Sequence, residues 1–424
     1  MGNLRTPHTE LRSGEARGIA GTVGTTVTPA TGNDRDGMVD QQPPMSEGTL
    51  ERLRAAQADI REEYLAQHND PWIIGYSGGK DSTLVAQLVF EMLLDLAPSD
   101  RKRPVHLLCN DTLVESPILM AYIDRMLDRL QTAADNLHLP IKVVKTTPDP
   151  DQTFWVNLIG RGYPAPTRMF RWCTDRMKIA PTSNYIRSQI SQSGEVVLLL
   201  GVRRAESANR AVTVARHRNV AGTRLNPHDD MKGCMVFRPI IDMSTDDVWL
   251  LLLQRSPPWG GSHRELVTLY RNAQGGECPL VMDKSQAPSC GTSSSRFGCW
   301  TCTVIEKDRS MEAMIDSGHE HLEPLMDFRD WLAKFRNERS KRMVERRDGR
   351  IALMGDGVTT VAGPFTVEAR QEILARLLKT QEEVGMQLVS EDEIARIRTI
   401  WATDAVEEAK RHLKQRELLR KEQP

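Results

Sequence analysis

The chain has 424 residues, which is enough for a large core and two or three structural units. Its formal net charge is −1, so binding to nucleic acid would need a local basic surface, because the composition as a whole is not basic. It has no run of eighteen or more apolar residues and no apolar signal segment at its N-terminus, so we expect a cytoplasmic protein without a membrane span.

The first half of the chain reads as an α/β protein. Residues 1–45 are rich in Gly, Thr, Pro and Asp and lack periodicity, which predicts a disordered tail. A helix is predicted from residue 46 to about residue 67. Short apolar runs then predict strands separated by helical patterns, at residues 72–76, 105–109, 141–144 and 196–200. Such runs are typical of a parallel sheet with helices on both faces.

The second half changes character at the cysteines. A further apolar run, residues 235–241, precedes a helix start at Ser244. Periodicity disappears from Gly275 to Cys302, and helical patterns follow, with starts near Thr366 and at Ser390. These shifts predict four units: the tail 1–45, an α/β domain 46–270, a cysteine-rich segment 271–310 and a helical C-terminal region 311–424.

A glycine-rich loop connects the first predicted strand to a helix. It reads Tyr76-Ser77-Gly78-Gly79-Lys80-Asp81-Ser82-Thr83. The two glycines let the backbone approach an anion closely, three side chains offer hydroxyl groups, and Lys80 adds a positive charge. The N–H groups at the start of the helix suit a phosphate or pyrophosphate. The glycine spacing and Asp81 exclude a Walker A loop. The structural alternative is an ordinary glycine turn.

Other candidate ligands of a nucleotide follow the second and fourth predicted strands. Ligands of open parallel sheets bind beyond the carboxyl ends of the strands. Asp111 is positioned there to hold ribose or Mg²⁺, with a turn cap as the alternative. Arg203 and Arg204 are positioned to clamp phosphate oxygens, with a solvated surface as the alternative.

Four of the seven cysteines predict a metal centre. Cys278, Cys290, Cys299 and Cys302 are separated by eleven, eight and two residues. Four thiolates within one loop indicate zinc or an iron–sulfur cluster, and the spacing does not decide between them. Cys109 lies inside a predicted strand and reads as a small packed hydrophobe, whereas Cys234 fits either core or surface.

Cys173 lies in a different setting, among Arg171, Arg176 and Lys178. These cations are expected to lower the pKa of its thiol, which suits a nucleophile or a carrier of persulfide sulfur. The alternative is a packing cysteine beside Trp172, with the arginines binding phosphate.

The Ser-Gly-Gly-Lys-Asp-Ser segment resembles the pyrophosphate loop of the ATP-pyrophosphatase superfamily. That superfamily includes sulfonucleotide reductases, ATP sulfurylase small subunits and tRNA thiolation enzymes. The resemblance implies an adenine nucleotide alpha hydrolase-like fold for the α/β domain, and cleavage of ATP between its α and β phosphates.

A longer series of motifs is similar to the DndC/SspD family of bacterial DNA phosphorothioation. Besides the loop, the matching segments are Gly160-Arg161-Gly162-Tyr163-Pro164-Ala165-Pro166, Arg171-Trp172-Cys173-Thr174, Gly201-Val202-Arg203-Arg204-Ala205-Glu206-Ser207, Cys299-Trp300-Thr301-Cys302 and Gly363-Pro364-Phe365-Thr366. The resemblance implies a sulfurtransferase that uses ATP and a [4Fe–4S] cluster. The implied partners are DNA, a cysteine desulfurase as sulfur donor, and other DNA phosphorothioation proteins.

On this interpretation the candidate residues fall into three groups. The catalytic candidates are Lys80, Asp81 and Cys173. The candidates for binding ATP with Mg²⁺ are Ser77, Gly78, Gly79, Lys80, Asp81, Ser82, Thr83, Asp111, Arg203 and Arg204. The cluster ligands are Cys278, Cys290, Cys299 and Cys302.

Three alternatives remain open from the sequence. A sulfonucleotide reductase is expected to carry a C-terminal Glu-Cys-Gly, whereas Glu277-Cys278 is followed here by Pro279 and the last residues lack cysteine. A tRNA-thiolating enzyme would use similar nucleotide chemistry. A non-enzymatic scaffold would bind nucleotide and hold structural zinc.

DNA binding requires basic surface, and two clusters are candidates. The cluster in residues 203–224 contains one acid and is the better candidate. The cluster in residues 334–350 is interleaved with acids and predicts a solvated helix.

Overall fold

The computed structural model describes residues 44–206, 224–273, 298–355 and 358–421. The predicted tail, Cys278, Cys290 and most of the basic cluster at 203–224 lie outside these residues. None of the helices within the described ranges combines the length and the apolar character needed to cross a bilayer.

A six-stranded sheet forms the centre of the α/β domain. Its strands, in chain order, are β1 (Trp72–Gly75), β2 (Val105–Asn110), β3 (Ile141–Thr146), β4 (Val196–Leu199), β5 (Asn226–Pro227) and β6 (Cys234–Phe237). The spatial order is β3-β2-β1-β4-β6-β5. All neighbouring pairs are parallel except β5 with β6, which is antiparallel. In the register, Trp72 stands opposite Val105 on one side and Val197 on the other.

Alternate strand residues face opposite sides of the sheet, and both sides are covered by helices. Trp72 and Ile74 face the larger core, whose helices are α1 (Glu47–Tyr64), α2 (Lys80–Asp95), α3 (Pro117–Asn136), α5 (Thr245–Gln254) and α6 (Arg264–Asn272). Ile73 and Leu108 face the other side, where Ile186 of α4 (Ala180–Ser193) packs. The predicted fold class, a parallel sheet with helices on both faces, is therefore confirmed.

A second core lies between the middle of the chain and its C-terminal helices. These helices are α7 (Arg309–Asp316), α8 (Glu323–Phe335), α9 (Val367–Val384) and α10 (Glu391–Lys421). They enclose a π-helical turn, Val156–Gly160, whose side chains are fully buried. The indole of Trp401 donates a hydrogen bond to the Ile159 carbonyl at 2.9 Å, so α10 is fastened to this turn.

The predicted helix starts are confirmed. The Ser244 hydroxyl accepts the Asp247 N–H at 3.0 Å, and the Asp247 carboxylate accepts the Ser244 N–H at 2.7 Å. Ser390 and Glu393 form the same reciprocal pair at the start of α10. Each pair satisfies backbone donors that the first turn of a helix leaves without intrahelical acceptors.

Asp247 also ties α1 to α5. Its carboxylate is 3% exposed and accepts hydrogen bonds from Arg52 at 2.8 Å and from the Thr49 hydroxyl at 2.7 Å. Burial alone would raise the pKa of Asp247, but the hydrogen bonds from Arg52, Thr49 and Ser244 lower it to about 2. A depressed carboxyl pKa adds stability above the unfolded-state pKa near 4, and this stability is lost as the pH falls towards 2.

We predict that Asp247→Asn lowers the free energy of unfolding by about 2 kcal/mol at pH 7, because it removes the charge that Arg52 and Thr49 bind. Urea unfolding at pH 7 and at pH 3 measures this. The difference between variant and wild type should shrink at the lower pH. Asp128→Asn, which changes an exposed aspartate in the middle of α3, is the charge-matched control. Equal losses in both variants would contradict the role given to Asp247.

Candidate functional site

The glycine-rich loop is held in place from two sides. Gly78 has φ +72°, and a Cβ there would lie 2.6 Å from Cγ1 of Ile123 on α3. On the other side a Cβ on Gly201, which follows β4, would lie 2.8 Å from the Asp81 carbonyl carbon. Glycine is therefore required at both positions, because any side chain would displace the loop. Gly79 is the N-cap of α2, which begins at Lys80 within the loop sequence.

The charged residues of the loop are paired beneath it. The Arg203 Nε donates to the Asp81 carboxylate at 2.6 Å, and its Nη1 donates to the Thr245 hydroxyl at 3.1 Å. The Arg203 side chain is fully buried, and its Nη2 has no hydrogen-bond partner among the described residues. Asp81 is also 3.3 Å from the Lys80 amine. The second arginine, Arg204, is exposed and forms an ion pair with Asp242.

Lys80 is less mobile than a surface lysine. It is 5% exposed, and its amine lies 5.5 Å from the centre of the Tyr270 ring. The Tyr270 hydroxyl accepts the Lys80 backbone N–H at 3.3 Å. The sequence did not single out Tyr270, because it lies on α6, far along the chain from the loop.

The hydroxyl groups of the loop divide into inner and outer ones. Ser77 is exposed and can face a ligand. Ser82 donates its hydroxyl to the Gly79 carbonyl at 3.0 Å, and Thr83 is fully buried. Ser82 therefore shapes the loop and Thr83 packs below it, so Ser77 is the hydroxyl best placed to meet a phosphate.

Asp111 follows β2 as predicted, and both of its oxygens are engaged. Oδ1 accepts the N–H of Leu113, which has φ +65°, at 2.8 Å. Oδ2 lies 3.0 Å from the Lys145 amine. These contacts correspond to the turn cap given above as the structural alternative.

The turn after β2 meets the cysteine segment. The Cys299 sulfur lies 3.4 Å from the Thr112 hydroxyl and 3.6 Å from the Glu115 carboxylate. Glu115 also lies 3.3 Å from the Lys178 amine. The backbone of this segment pairs too, since the Trp300 N–H donates to the Val114 carbonyl at 3.0 Å. Cys299 is therefore fixed beside the carboxyl end of β2, the neighbour of the strand that carries the glycine-rich loop.

The three described cysteines near this turn share one electrostatic environment. Burial and then the Glu115 carboxylate raise the pKa of the Cys299 thiol to about 12. Burial would lower the pKa of Lys178, but the Cys299 sulfur and Glu115 outweigh it and raise that pKa. Cys173 also interacts with Lys178 and with Cys302.

The expectation that cations lower the pKa of Cys173 is wrong for this structure. Burial raises the pKa of the Cys173 thiol, the Cys302 sulfur raises it further, and Lys178 offsets only part of this. The Arg176 guanidinium is directed elsewhere, because it is bound to Gln152 and lies 5.1 Å from the centre of the Tyr163 ring. Arg171 is exposed.

The donor set fits a thiolate-bound cluster in part. Cys299 and Cys302 lie in one tight turn, with the Cys302 N–H donating to the Cys299 carbonyl at 3.0 Å. Both are partly exposed, in contrast to the buried Cys109 and Cys234. Within the described ranges no three His, Cys, Asp or Glu side chains converge closely enough to hold a metal ion. The other two predicted ligands, Cys278 and Cys290, lie outside those ranges.

The predicted basic clusters contribute little free charge in the described residues. Arg224 pairs with Asp59 and Glu62. In the second cluster, Arg342 donates to the Gly363 carbonyl, and burial lowers its pKa to about 10. That region forms short turns and isolated bridges where a solvated helix was predicted, and several of its cations fasten the backbone of the second core.

Sequence comparison identifies the class of protein that this fold and loop define. Residues 71–305, more than half of the chain, match the phosphoadenosine phosphosulfate reductase domain family, and the chain belongs to that family. An uncharacterized protein of Methanocaldococcus jannaschii is 24% identical over 189 residues, which are 45% of this chain and 32% of that protein. The chain thus spans about a third of the length of this relative.

Three solved structures overlap in part with this one. A phosphoadenylyl-sulfate reductase of Candida auris, in a phosphate complex, has a TM-score of 0.30 and 13% identity, over 50% of this chain and 89% of that one. An FMN adenylyltransferase of Candida glabrata has 0.30 and 12%, over 50% and 60%. The U34-tRNA thiolase NcsA of Methanococcus maripaludis, with its [4Fe–4S] cluster, has 0.28 and 14%, over 67% and 78%. At these TM-scores the overlaps carry no functional argument.

Several residues of the site were missed by the sequence argument. Thr112 and Lys178 had no assigned contact with the cysteine pair, and Tyr270 was not considered. A usable signal was present for Lys178, because it follows Cys173 by five residues and was already named as one of the cations around that cysteine. No local pattern predicts the contact of Tyr270 with the loop.

We predict that Gly201→Ala lowers pyrophosphate release from ATP by about tenfold or more, because the new methyl group displaces the first turn of α2 from its position. The measurement is enzyme-coupled detection of pyrophosphate with purified protein. Gly355→Ala is the matched control, since nothing lies within 4 Å of a Cβ there. Normal release by a folded Gly201→Ala variant would show that the close approach to Asp81 is not needed.

Proposed function

We propose that the protein is an ATP-dependent sulfurtransferase of DNA phosphorothioation. The observation that supports this is that the glycine-rich loop and a cysteine both lie at the carboxyl ends of neighbouring strands. The pyrophosphate-type loop follows β1, and the turn after the adjacent strand β2 holds Cys299 through Thr112 and Glu115. The carboxyl ends of neighbouring parallel strands lie on the same side of the sheet, so a nucleotide bound by the loop and the thiols would share one site.

The nucleotide has the task of activating a poor substrate. An oxygen of a DNA phosphodiester is a poor leaving group. Attack of this oxygen on the α-phosphorus of ATP, carried as its Mg²⁺ complex, forms an anhydride with AMP and releases pyrophosphate. The protein contributes positioning and charge stabilisation, as in other phosphoryl transfers. Gly78, Gly79 and the start of α2 supply backbone N–H groups, Ser77 a hydroxyl group, and Lys80 a positive charge.

Asp81 receives a structural role in this scheme. Its carboxylate neutralises the buried Arg203 guanidinium, and removing one partner of a buried pair costs about 3–5 kcal/mol. Asp81→Ala therefore damages folding as well as chemistry, and Lys80→Ala is the cleaner test of ATP cleavage. The Nη2 of Arg203 has no hydrogen-bond partner among the described residues, but the guanidinium is fully buried, so Arg203 supports the loop and is closed to a phosphate oxygen in this structure.

Sulfur reaches the activated phosphorus in the second half-reaction. We propose Cys173 as a persulfide carrier, charged by a cysteine desulfurase. Its terminal sulfur attacks the DNA phosphorus, and AMP leaves with the electron pair of the broken P–O bond. The product is a Cys173–S–S–P linkage. A thiol reductant then cleaves the S–S bond, which releases the phosphorothioate, and a second thiol regenerates Cys173 with formation of a disulfide of the reductant.

A [4Fe–4S] cluster completes the proposal. Cys278, Cys290, Cys299 and Cys302 would hold it, and when bound it would supply a redox-active or sulfur-binding centre next to the nucleotide. Membership of the phosphoadenosine phosphosulfate reductase domain family supports nucleotide and sulfur chemistry of this kind. DNA, the desulfurase and further DNA phosphorothioation proteins are the partners that the proposal requires.

We predict about four irons and four sulfides per chain after anaerobic purification. Cys299→Ser and Cys302→Ser should each lose the visible absorption near 400 nm, because the loss of one thiolate opens the coordination sphere. Cys234→Ala is the control, since that cysteine is buried in β6. Stoichiometric zinc without iron in the wild type would instead support the structural-zinc scaffold.

We predict that Cys173→Ser abolishes phosphorothioation in cells while the cluster and ATP cleavage persist. Mass spectrometry of nuclease-digested DNA, with and without the gene, detects phosphorothioate-linked dinucleotides. Wild-type cells without such dinucleotides would contradict the DNA substrate. Full modification by Cys173→Ser would contradict the persulfide role, and loss of the cluster in this variant would make Cys173 a ligand.

A further inference from the structure

Four consecutive exposed side chains immediately precede the Trp172-Cys173 pair. They are Arg168, Met169, Phe170 and Arg171. Met169 is 95% exposed and Phe170 is 46% exposed, although both side chains are apolar. Neither arginine forms an ion pair or a side-chain hydrogen bond within the described part of the chain. We call residues 167–171 the arginine–aromatic turn.

The turn is shaped by its own hydrogen bonds. The Thr167 N–H donates to the Phe170 carbonyl at 3.1 Å, and the Phe170 N–H donates to the Thr167 carbonyl at 3.2 Å. The Trp172 indole then donates to the Pro164 carbonyl at 2.9 Å, which anchors the turn on the second core. The Met169 side chain is therefore almost fully exposed. The Phe170 ring is partly exposed and lies edge-on to the Tyr163 ring, with 6.4 Å between the ring centres, whereas the Trp172 side chain is buried.

The charge of the turn is not neutralised locally. The sequence from Pro164 to Thr174 contains two arginines, and the next acid, Asp175, forms no ion pair with either of them in the described part of the chain. Two other arginines nearby already have hydrogen-bond partners. Arg176 donates to Gln152 and to the Tyr163 hydroxyl, and Arg336 donates to the Thr303 carbonyl. A pair of unengaged guanidinium groups flanking an aromatic ring favours a polyanion with flat bases over a protein. The patch of four side chains is also far smaller than the roughly 20–30 residues that each side of a stable protein interface uses.

We propose that the arginine–aromatic turn binds a nucleic-acid strand beside the sulfur-transfer site. Arg168 and Arg171 bind two backbone phosphates, Phe170 stacks on a base between them, and Met169 makes an apolar contact beside it. Cys173 follows Arg171 by two residues, so their Cα atoms are at most about 7 Å apart. A strand bound by the turn therefore has a phosphodiester close to the Cys173 thiol. This inference rests on the proposed function and gives it a substrate-binding element.

The test uses the full-length protein and a fluorescein-labelled twenty-nucleotide single strand, made once as DNA and once as RNA. Fluorescence anisotropy gives the dissociation constant over a series of salt concentrations. Arg168→Ala/Arg171→Ala should reduce the slope of log affinity against log salt by about 1.4, because two phosphate contacts are lost. Met169→Ala/Phe170→Ala should weaken binding roughly tenfold and leave the slope unchanged, because stacking releases no counterions.

Matched controls separate these effects from general surface changes. Arg187→Ala/Arg309→Ala removes two exposed arginines elsewhere, and Met354→Ala/Val358→Ala removes two exposed apolar side chains. Both should bind within about twofold of the wild type. Thermal unfolding of every variant establishes that it is folded.

The outcomes distinguish this inference from the proposed function. The proposed strand binding by the turn would be contradicted if the wild-type protein binds neither strand, or if the turn variants bind as tightly as the control variants do. If strand binding by the turn is contradicted while phosphorothioated DNA is found in cells, only the role assigned to the turn is wrong. If the wild-type protein binds only the RNA strand and the turn variants lose this binding, the result would support strand binding by the turn and contradict DNA as the substrate.

Discussion

The buried ion pair between Asp81 and Arg203 is the interaction on which the candidate site depends. It joins the first turn of α2 to the segment that follows β4, and the close packing of Gly201 against Asp81 leaves no room for the loop to shift. A buried pair of charges is costly unless its geometry is good, so it acts less as a source of stability than as a determinant of one arrangement. That arrangement sets the position of the backbone N–H groups at the start of α2.

The C-terminal region supports the other half of the site. The Phe365 N–H donates to the Gly162 carbonyl at 2.7 Å, and Arg370 donates to the Gly160 carbonyl at 2.7 Å. These contacts hold the segment that leads to Trp172 and Cys173. The Gly160–Pro166 and Gly363–Thr366 motifs, far apart in sequence, are therefore two sides of one support. These hydrogen bonds explain structurally why the two motifs occur together.

The sequence predicted what local periodicity and local chemistry determine. The core strands, the helix starts at Ser244 and Ser390, and the glycine-rich loop all follow from patterns within about ten residues. Long-range pairing was beyond such patterns. Arg203 was expected to face phosphate and is mostly committed to Asp81, and the pKa of Cys173 was expected to fall and instead rises with burial. Whether a charge is neutralised or a thiol desolvated depends on which distant segment packs against it.

Within the described residues the two edge strands of the sheet differ, and each carries features that oppose further strand pairing. One edge is β3, which carries Lys142 and Lys145 between its apolar residues. The other is β5, which has only two residues and includes Pro227, a residue without an N–H to offer a further strand. Charges and a proline at the margins are the features by which natural sheets resist joining edge to edge. These features disfavour pairing of the central sheet with the sheet of a second molecule.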